Sequence, residues 1–227
     1  MQVSVPATRP RAYNGRVLVL ENPLLRELLT RLRDRNTGRR EFRELLRLVG
    51  IYMGYELAHL LPCRRVVVET PLGVRAEGVE IEDERITVLA VLRAAIPMAQ
   101  GLLEVLKDAK LGVIAAKRVE MEDAASHNFE FEIRISYVNV PPNDVLVVVD
   151  PMFASGMTML RCLEIAYDLH EFEKTFVLTV ISTDLAIRRI LDAFPDVKIL
   201  TLAIDPELNR RGYIVPGLGD AGDRAFG

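Results

Sequence analysis

The residues best suited to chemistry form one continuous stretch, Val145-Leu-Val-Val-Val-Asp150 followed by Pro151-Met-Phe-Ala-Ser-Gly-Met-Thr158. A β-branched run that ends in an acid and enters a small-residue turn predicts a strand, a tight loop and a helix opening near Thr158. At the carboxyl end of a parallel strand, loop N–H groups and a helix N-terminus converge on a point that suits an anion such as phosphate. Ala154, Ser155 and Gly156 are small enough for close backbone approach, and the hydroxyls of Ser155 and Thr158 can donate to anion oxygens. Asp150 would repel a phosphate aimed at it, so its natural partner is a nearby hydroxyl, such as those of a ribose. A plain strand–turn–helix junction explains the small residues equally well. No Gly-Lys-Ser/Thr follows, so the loop is not a Walker A motif.

Such a loop needs a sheet behind it. Short β-branched runs at Arg65–Glu69, Thr87–Leu92, Leu111–Ala115, Val145–Asp150, Phe176–Ile181 and Lys198–Ala203 read as buried strands, most of them separated by helix-length segments. Helices are expected at Pro97–Leu106, Thr158–Leu169 and Leu185–Phe194, the last capped by Asp184. Two more open the chain. Asn22 caps the first, with Pro23 in its first turn and Leu24, Leu25, Leu28, Leu29 and Leu32 at helical spacing; the second runs from about Arg40 to Leu60. This is the signature of a doubly wound, mainly parallel α/β sheet, expected as a single domain over residues 1–227 with an N-terminal helical arm over 1–62. Between Glu120 and Pro142, Phe129, Phe131, Ile133, Ile135 and Tyr137 alternate with polar neighbours, which predicts an antiparallel flap beside the main sheet. The tail after Arg211 is too rich in glycine for a helix or regular strand.

Composition sets the class. The 227 residues are 50% hydrophobic and 27% charged with a net charge of −3, the balance of a soluble globular protein. No apolar run approaches the roughly 20 residues that span a bilayer, and the start MQVSVPATRPR lacks a secretory apolar stretch. Cys63 and Cys162 form no CxxC pair, which fits a reducing, cytoplasmic setting. Residues 1–47 carry 11 Arg against 5 acids, and the expected use of most of these arginines is the solvated polar face of amphipathic helices or subunit packing. Of His59, His127 and His170, only His127 lies in a segment able to visit an active site.

The loop Val148–Thr158 resembles the phosphoribosyl diphosphate (PRPP) loop of the type I phosphoribosyltransferases, and its Asp-Pro-Met is the form used in the uracil phosphoribosyltransferase family. Gly212-Tyr-Ile-Val-Pro-Gly-Leu-Gly-Asp-Ala-Gly-Asp-Arg224 closely resembles that family's uracil-binding segment, and Leu92-Arg-Ala-Ala-Ile-Pro-Met98 resembles its pyrophosphate loop. Thr70-Pro-Leu72 and Arg118 also fall in the expected order. Ala95 stands where the family usually has Gly, a substitution that costs energy if the peptide needs a left-handed backbone. Lys117 stands where an aromatic residue often precedes the flap arginine.

The resemblance implies a site. Pro151, Met152, Phe153, Ala154, Ser155, Gly156, Met157 and Thr158 would hold the 5-phosphate of PRPP, Asp150 its ribose, and Arg93 with Arg118 its pyrophosphate, with Mg²⁺ bridging the oxygens. Main-chain groups of Ile214, Gly219 and Ala221 would read uracil, with Tyr213 and Ala154 on its faces. Asp220 would organise PRPP and reach Mg²⁺ through water, so that Asp220, Arg118 and Arg93 form the catalytic set. The implied reaction gives UMP and pyrophosphate, and the implied assembly is a homodimer or homotetramer, with GTP or CTP as effectors. The rival reading is a pyrimidine-sensing regulator of the same fold that binds UMP and RNA. Its loop usually carries two adjacent acids where this chain has Asp150-Pro151, and its strongly basic RNA face has no counterpart here beyond the N-terminal arginines, which weighs against RNA and leaves no role for a membrane.

Overall fold

Strands that are apolar on both faces must be covered on both faces, and this chain supplies helices for each side of its sheet. The computed structural model describes residues 15–119 and 132–227. In chain order the elements begin with β1 (Val17–Val19), α1 (Pro23–Arg33), α2 (Arg39–Ala58), β2 (Cys63–Glu69), β3 (Arg75–Ile81), β4 (Ile86–Leu92), α3 (Ile96–Val105), β5 (Lys110–Val119) and β6 (Glu132–Asn139). They continue with β7 (Val145–Val149), β8 (Met152–Phe153), α4 (Met157–Leu169), β9 (Lys174–Thr183), α5 (Asp184–Ala193), β10 (Lys198–Asp205), β11 (Glu207–Leu208), β12 (Ile214–Val215) and α6 (Ala221–Phe226).

The main sheet runs β1-β10-β9-β7-β4-β5-β6 with β8 beside β9, and every pair is parallel except β5–β6. Strand order reverses between β4 and β7, which are neighbours: from β4 the chain steps outward to β5, from β7 it steps the other way to β9 and β10. Connections diverge at such a point and leave a crevice beyond the carboxyl ends of the two strands. Leu92–Ala95 and Asp150–Thr158 both leave from there.

Alternation along β7 sends Val145, Val147 and Val149 into a core shared with α1, α2, α3 and α6, and Leu146 and Val148 into a second core under α4 and α5. Helices α2 and α3 meet at Gly50 and Gly101. A methyl group on either would run into a backbone carbonyl of the other helix, Met98 O or Arg47 O, so only glycine permits this approach. The two N-terminal helices, expected as an arm, are thus packed on the sheet.

The strands at Thr87–Leu92, Leu111–Ala115, Val145–Asp150, Phe176–Ile181 and Lys198–Ala203 are found where the sequence predicts them, and α1 starts at Pro23 with the Asn22 side chain accepting from the Leu24 N–H at 3.0 Å. Four readings change. Arg65–Glu69 is no buried strand: it lies in β2, which pairs antiparallel with β3 in a separate hairpin that leaves Val67, Val68 and Val79 exposed. Its β-branched residues reflect strand propensity alone, without a core to face. Helix α5 is capped by Thr183, whose hydroxyl accepts from the Ala186 N–H at 3.1 Å, while Asp184 pairs with Arg188. The glycine-rich tail contains β12 and the short helix α6, because Asp220 caps the latter.

The fourth change concerns β6. Ala115 pairs with Tyr137 but Ala116 with Ile135, so Ser136 is an extra, bulged residue. The bulge flips the pattern: Ile133 and Ile135 are partly buried, yet Tyr137 is exposed and Val138 turns inward instead. β6 is the antiparallel edge of the main sheet, the part of the expected flap that is described; Phe129, Phe131 and His127 lie outside the described residues.

Candidate active site

The loop after β7 is tied down from behind. The Asp150 N–H donates to Leu178 O at 3.1 Å, and Pro151 O accepts from the N–H groups of Val180 and Ile181, each at 3.2 Å. Ala154 O accepts from the Thr183 hydroxyl at 2.6 Å, and Ser155 O accepts from the Arg189 guanidinium. In a trans peptide the carbonyl and the following N–H point opposite ways, so carbonyls held inward at 154 and 155 turn the amides of Ser155 and Gly156 outward. Gly156 has φ +81°, packs against Ala186 and leads directly into α4, whose first N–H groups have no partner within the helix. The loop therefore presents a row of donors at a helix start, the arrangement that takes an anion. Asp150 Oδ1 accepts from the Met152 N–H at 3.1 Å, which fixes the acid at the head of the loop.

This loop forms one wall of a cleft of about 1220 Å³. Asp150, Met152, Ala154 and Thr158 line it, as do Arg93, Tyr213, Gly219, Asp220 and Ala221, so the structure brings these predicted residues together. Pro151, Phe153, Ser155, Gly156 and Ile214 are buried and Met157 is partly buried; none of the six lines the cleft wall. Phe153 packs in the core under α4 and α5, and Ser155 is only 2% exposed, its hydroxyl oxygen accepting from the Met157 N–H at 3.5 Å. What Ser155 can offer a ligand is its amide rather than its hydroxyl. The Arg118 side chain lies outside the described residues. Thr70, Pro71 and Leu72 form the tip of the β2–β3 hairpin and are not among the lining residues.

Arg93 follows a cis Leu92–Arg93 peptide and reaches Asp223 of α6 at 3.4 Å. Ala95 has φ −73° and ψ −15°, ordinary right-handed backbone, so alanine carries no conformational cost there.

The carboxyl-terminal segment is held over the cleft by arginines from the other end of the chain. Arg33 of α1 binds the buried Asp205 through two nitrogens, at 2.6 and 2.8 Å, and also donates to Gly217 O at 2.7 Å. Asp205 accepts a further bond from the Gly217 N–H at 3.0 Å. Arg224 donates to carbonyls of Leu32, Asp34 and Leu218 and lies 4.2 Å above the Phe42 ring centroid; burial pushes its pKa down, against the opposing pull of Asp34. Arg43 donates to Ala225 O at 2.8 Å. Asp220 Oδ1 accepts from the Asp223 N–H at 2.9 Å, and Asn209 Oδ1 gathers the N–H groups of Arg211 and Tyr213. Part of the N-terminal arginine excess, expected on solvated faces or between subunits, is thus spent inside the molecule.

Sequence reasoning missed Lys117, Ser136, Arg210, Arg211 and Asp223 in the cleft wall. Asp223 lies in a motif already singled out and Lys117 at a position noted only as a departure from the family; the others carry no local signal. His170 is bonded through Nε2 to Val140 O at 2.8 Å, a structural contact. Cys162, on α4 behind the loop, has its thiol pKa pushed up to about 12 by burial and, secondarily, by the Asp150 charge, so it stays protonated and inert.

The family model described as uracil phosphoribosyltransferase matches residues 19–227. A curated uracil phosphoribosyltransferase of Sulfurisphaera tokodaii is 45% identical over 93% of this chain and 99% of its own, and one from Pyrobaculum arsenaticum is 44% identical over 92% and 98%. A solved protein of Aquifex aeolicus superposes with a TM-score of 0.82 at 28% identity, covering 92% of this chain and 97% of its own.

Proposed function

The chain belongs to the uracil phosphoribosyltransferase family, and we propose that its cleft transfers the phosphoribosyl group of PRPP to N1 of uracil, releasing UMP and pyrophosphate. The observation that carries this reading is that Asp150, Met152, Ala154 and Thr158 of the loop line one cleft together with Tyr213, Gly219, Asp220 and Ala221 of the carboxyl-terminal segment. In the reaction the N1–C1 bond forms as the C1–O bond breaks, the electron pair leaves on pyrophosphate, and the N1 proton is released. No protein nucleophile is required. The loop amides and the α4 N-terminus would hold the 5-phosphate, and Asp150 the ribose hydroxyls. Arg93 would bind the departing pyrophosphate together with Arg118, and Gly219, Ala221 and Ile214 would present main-chain groups to the base edge. Holding both substrates in one geometry lowers the entropic part of the barrier.

Asp150 and Asp220 bring oxygen donors to the same cleft, a set that fits Mg²⁺, which keeps several waters and takes its other ligands from substrate oxygens. When bound it would neutralise charge on the diphosphate; Asp220 would contact it through water. We treat residues 1–227 as a single phosphoribosyltransferase domain in a cytoplasmic protein; no described helix is long and apolar enough to cross a membrane. A homodimer or homotetramer is supported by the β2–β3 hairpin, where Leu72 is 89% and Val79 73% exposed, apolar surface suited to a second copy. The regulator reading loses part of its support, since Arg33, Arg43 and Arg47 of the N-terminal arginines are engaged within the chain.

The test is a steady-state assay of pyrophosphate release with PRPP, Mg²⁺ and each of uracil, cytosine, orotate and hypoxanthine, with GTP or CTP added in turn for effector control. Uracil alone should turn over efficiently, because a site built on base hydrogen bonds rejects mismatched donors. Equal rates for all four bases would overturn the reading.

A further inference from the structure

Lys117 is a cleft residue that the family pattern does not assign. It lies on β5, next to β4 in the sheet, and Leu92 of β4 is in register with Ala115 of β5. Arg93 is one residue beyond that pair and Lys117 two beyond it, so both residues stand at the same end of adjacent strands and both line the cleft. The bulge at Ser136 sets Lys117 opposite Arg134, where an unbroken ladder would have set it opposite Ile135. Like charges directly opposite one another on two strands are destabilising. Arg134 has a carboxylate, Glu132, at 3.6 Å, and Arg93 has Asp223 at 3.4 Å; Lys117 has no ion pair among the described residues. The fold therefore holds an unmatched cation beside a second cation, on a cleft wall that also carries the bulged Ser136, whose hydroxyl donates to Ala115 O at 3.3 Å. Bulges of this kind re-aim side chains next to active sites.

We propose that Lys117 binds the pyrophosphate group, as a further cation beside the Arg93 and Arg118 assigned to the leaving group above. This rests on the functional reading above. Arg93 must first exchange Asp223 for pyrophosphate, whereas Lys117 has no ion pair among the described residues to give up. Charge-assisted contacts of this type are the strong ones.

The test titrates inorganic pyrophosphate with Mg²⁺ into wild type, Lys117→Met and Lys117→Arg by calorimetry, alongside KM for PRPP and for uracil. Lys117→Met should weaken pyrophosphate binding roughly tenfold or more and raise KM for PRPP in step, with KM for uracil unchanged. Lys117→Arg should recover most of the loss, to within about threefold of wild type. Pyrophosphate bound equally by Lys117→Met and wild type, or not bound by wild type at all, would overturn the proposal. A wild type that binds pyrophosphate but makes no UMP would instead overturn the functional reading, and the Lys117→Met titration would still decide the subsite.

Discussion

The 150–158 loop and the 205–227 segment face each other across one cleft, yet they are held by opposite means. The loop is fixed locally: it leaves a fully buried strand, and its carbonyls are bonded to the next strand and to the helix after it. The carboxyl-terminal segment has almost no sheet of its own. It is held by side-chain charge, with Asp205 and Arg33 lying 172 residues apart in sequence and Arg224 reaching back to the turn between α1 and α2. The proposed phosphate cradle is thus built from consecutive residues, while the proposed base-reading wall depends on contacts between the two ends of the chain.

The sharpest way to break this contrast is Asp205→Ala. Removing one partner of a buried, bidentate pair leaves the Arg33 charge uncompensated, at a cost of about 3–5 kcal/mol. At this chain length that corresponds to a fall of roughly 6–20 °C in Tm, measured by calorimetry, with KM for uracil rising more than KM for PRPP. Gly156→Ala probes the other wall. It forces a side chain into left-handed backbone against Ala186 and should cost about 1–2 kcal/mol, with KM for PRPP rising and KM for uracil steady. If each variant raised both constants equally, the two walls would be one unit and the contrast would fail.

The smallest effect sharpens the picture of the loop's support. The buried Cys162 thiol keeps its proton to about pH 12, whereas an unfolded thiol loses it near 9.0. Between these values the native state binds more protons, so its contribution to stability is intact below pH 9 and is lost as pH rises toward 12. Titration of native protein with a thiol reagent near pH 8 should find one reactive cysteine, the exposed Cys63, and a second only on unfolding.

The same contrast explains what the sequence makes legible. β7, the 150–158 loop, α4 and the Asn22 cap of α1 are local features, and periodicity and capping chemistry reveal them directly. Arg33 reads as one more polar-face arginine because its partner is distant in sequence. Tyr137 keeps perfect alternation on paper, but a single bulged residue reverses its face. The β2 run looks like core because strand propensity does not tell which strands will be covered. Lys117 shows in the sequence only as a departure from the family pattern: its placement beside Arg93 on the next strand and Arg134 across the bulge takes the fold to see.

The close approach of α2 and α3 at Gly50 and Gly101 has a mechanical consequence. Helix α2 holds the carboxyl-terminal segment through Arg43, and α3 begins just after Arg93, so two helices in backbone contact join the proposed base wall to the proposed diphosphate wall. A side chain placed at either glycine would therefore push the two helices apart and be felt at both walls.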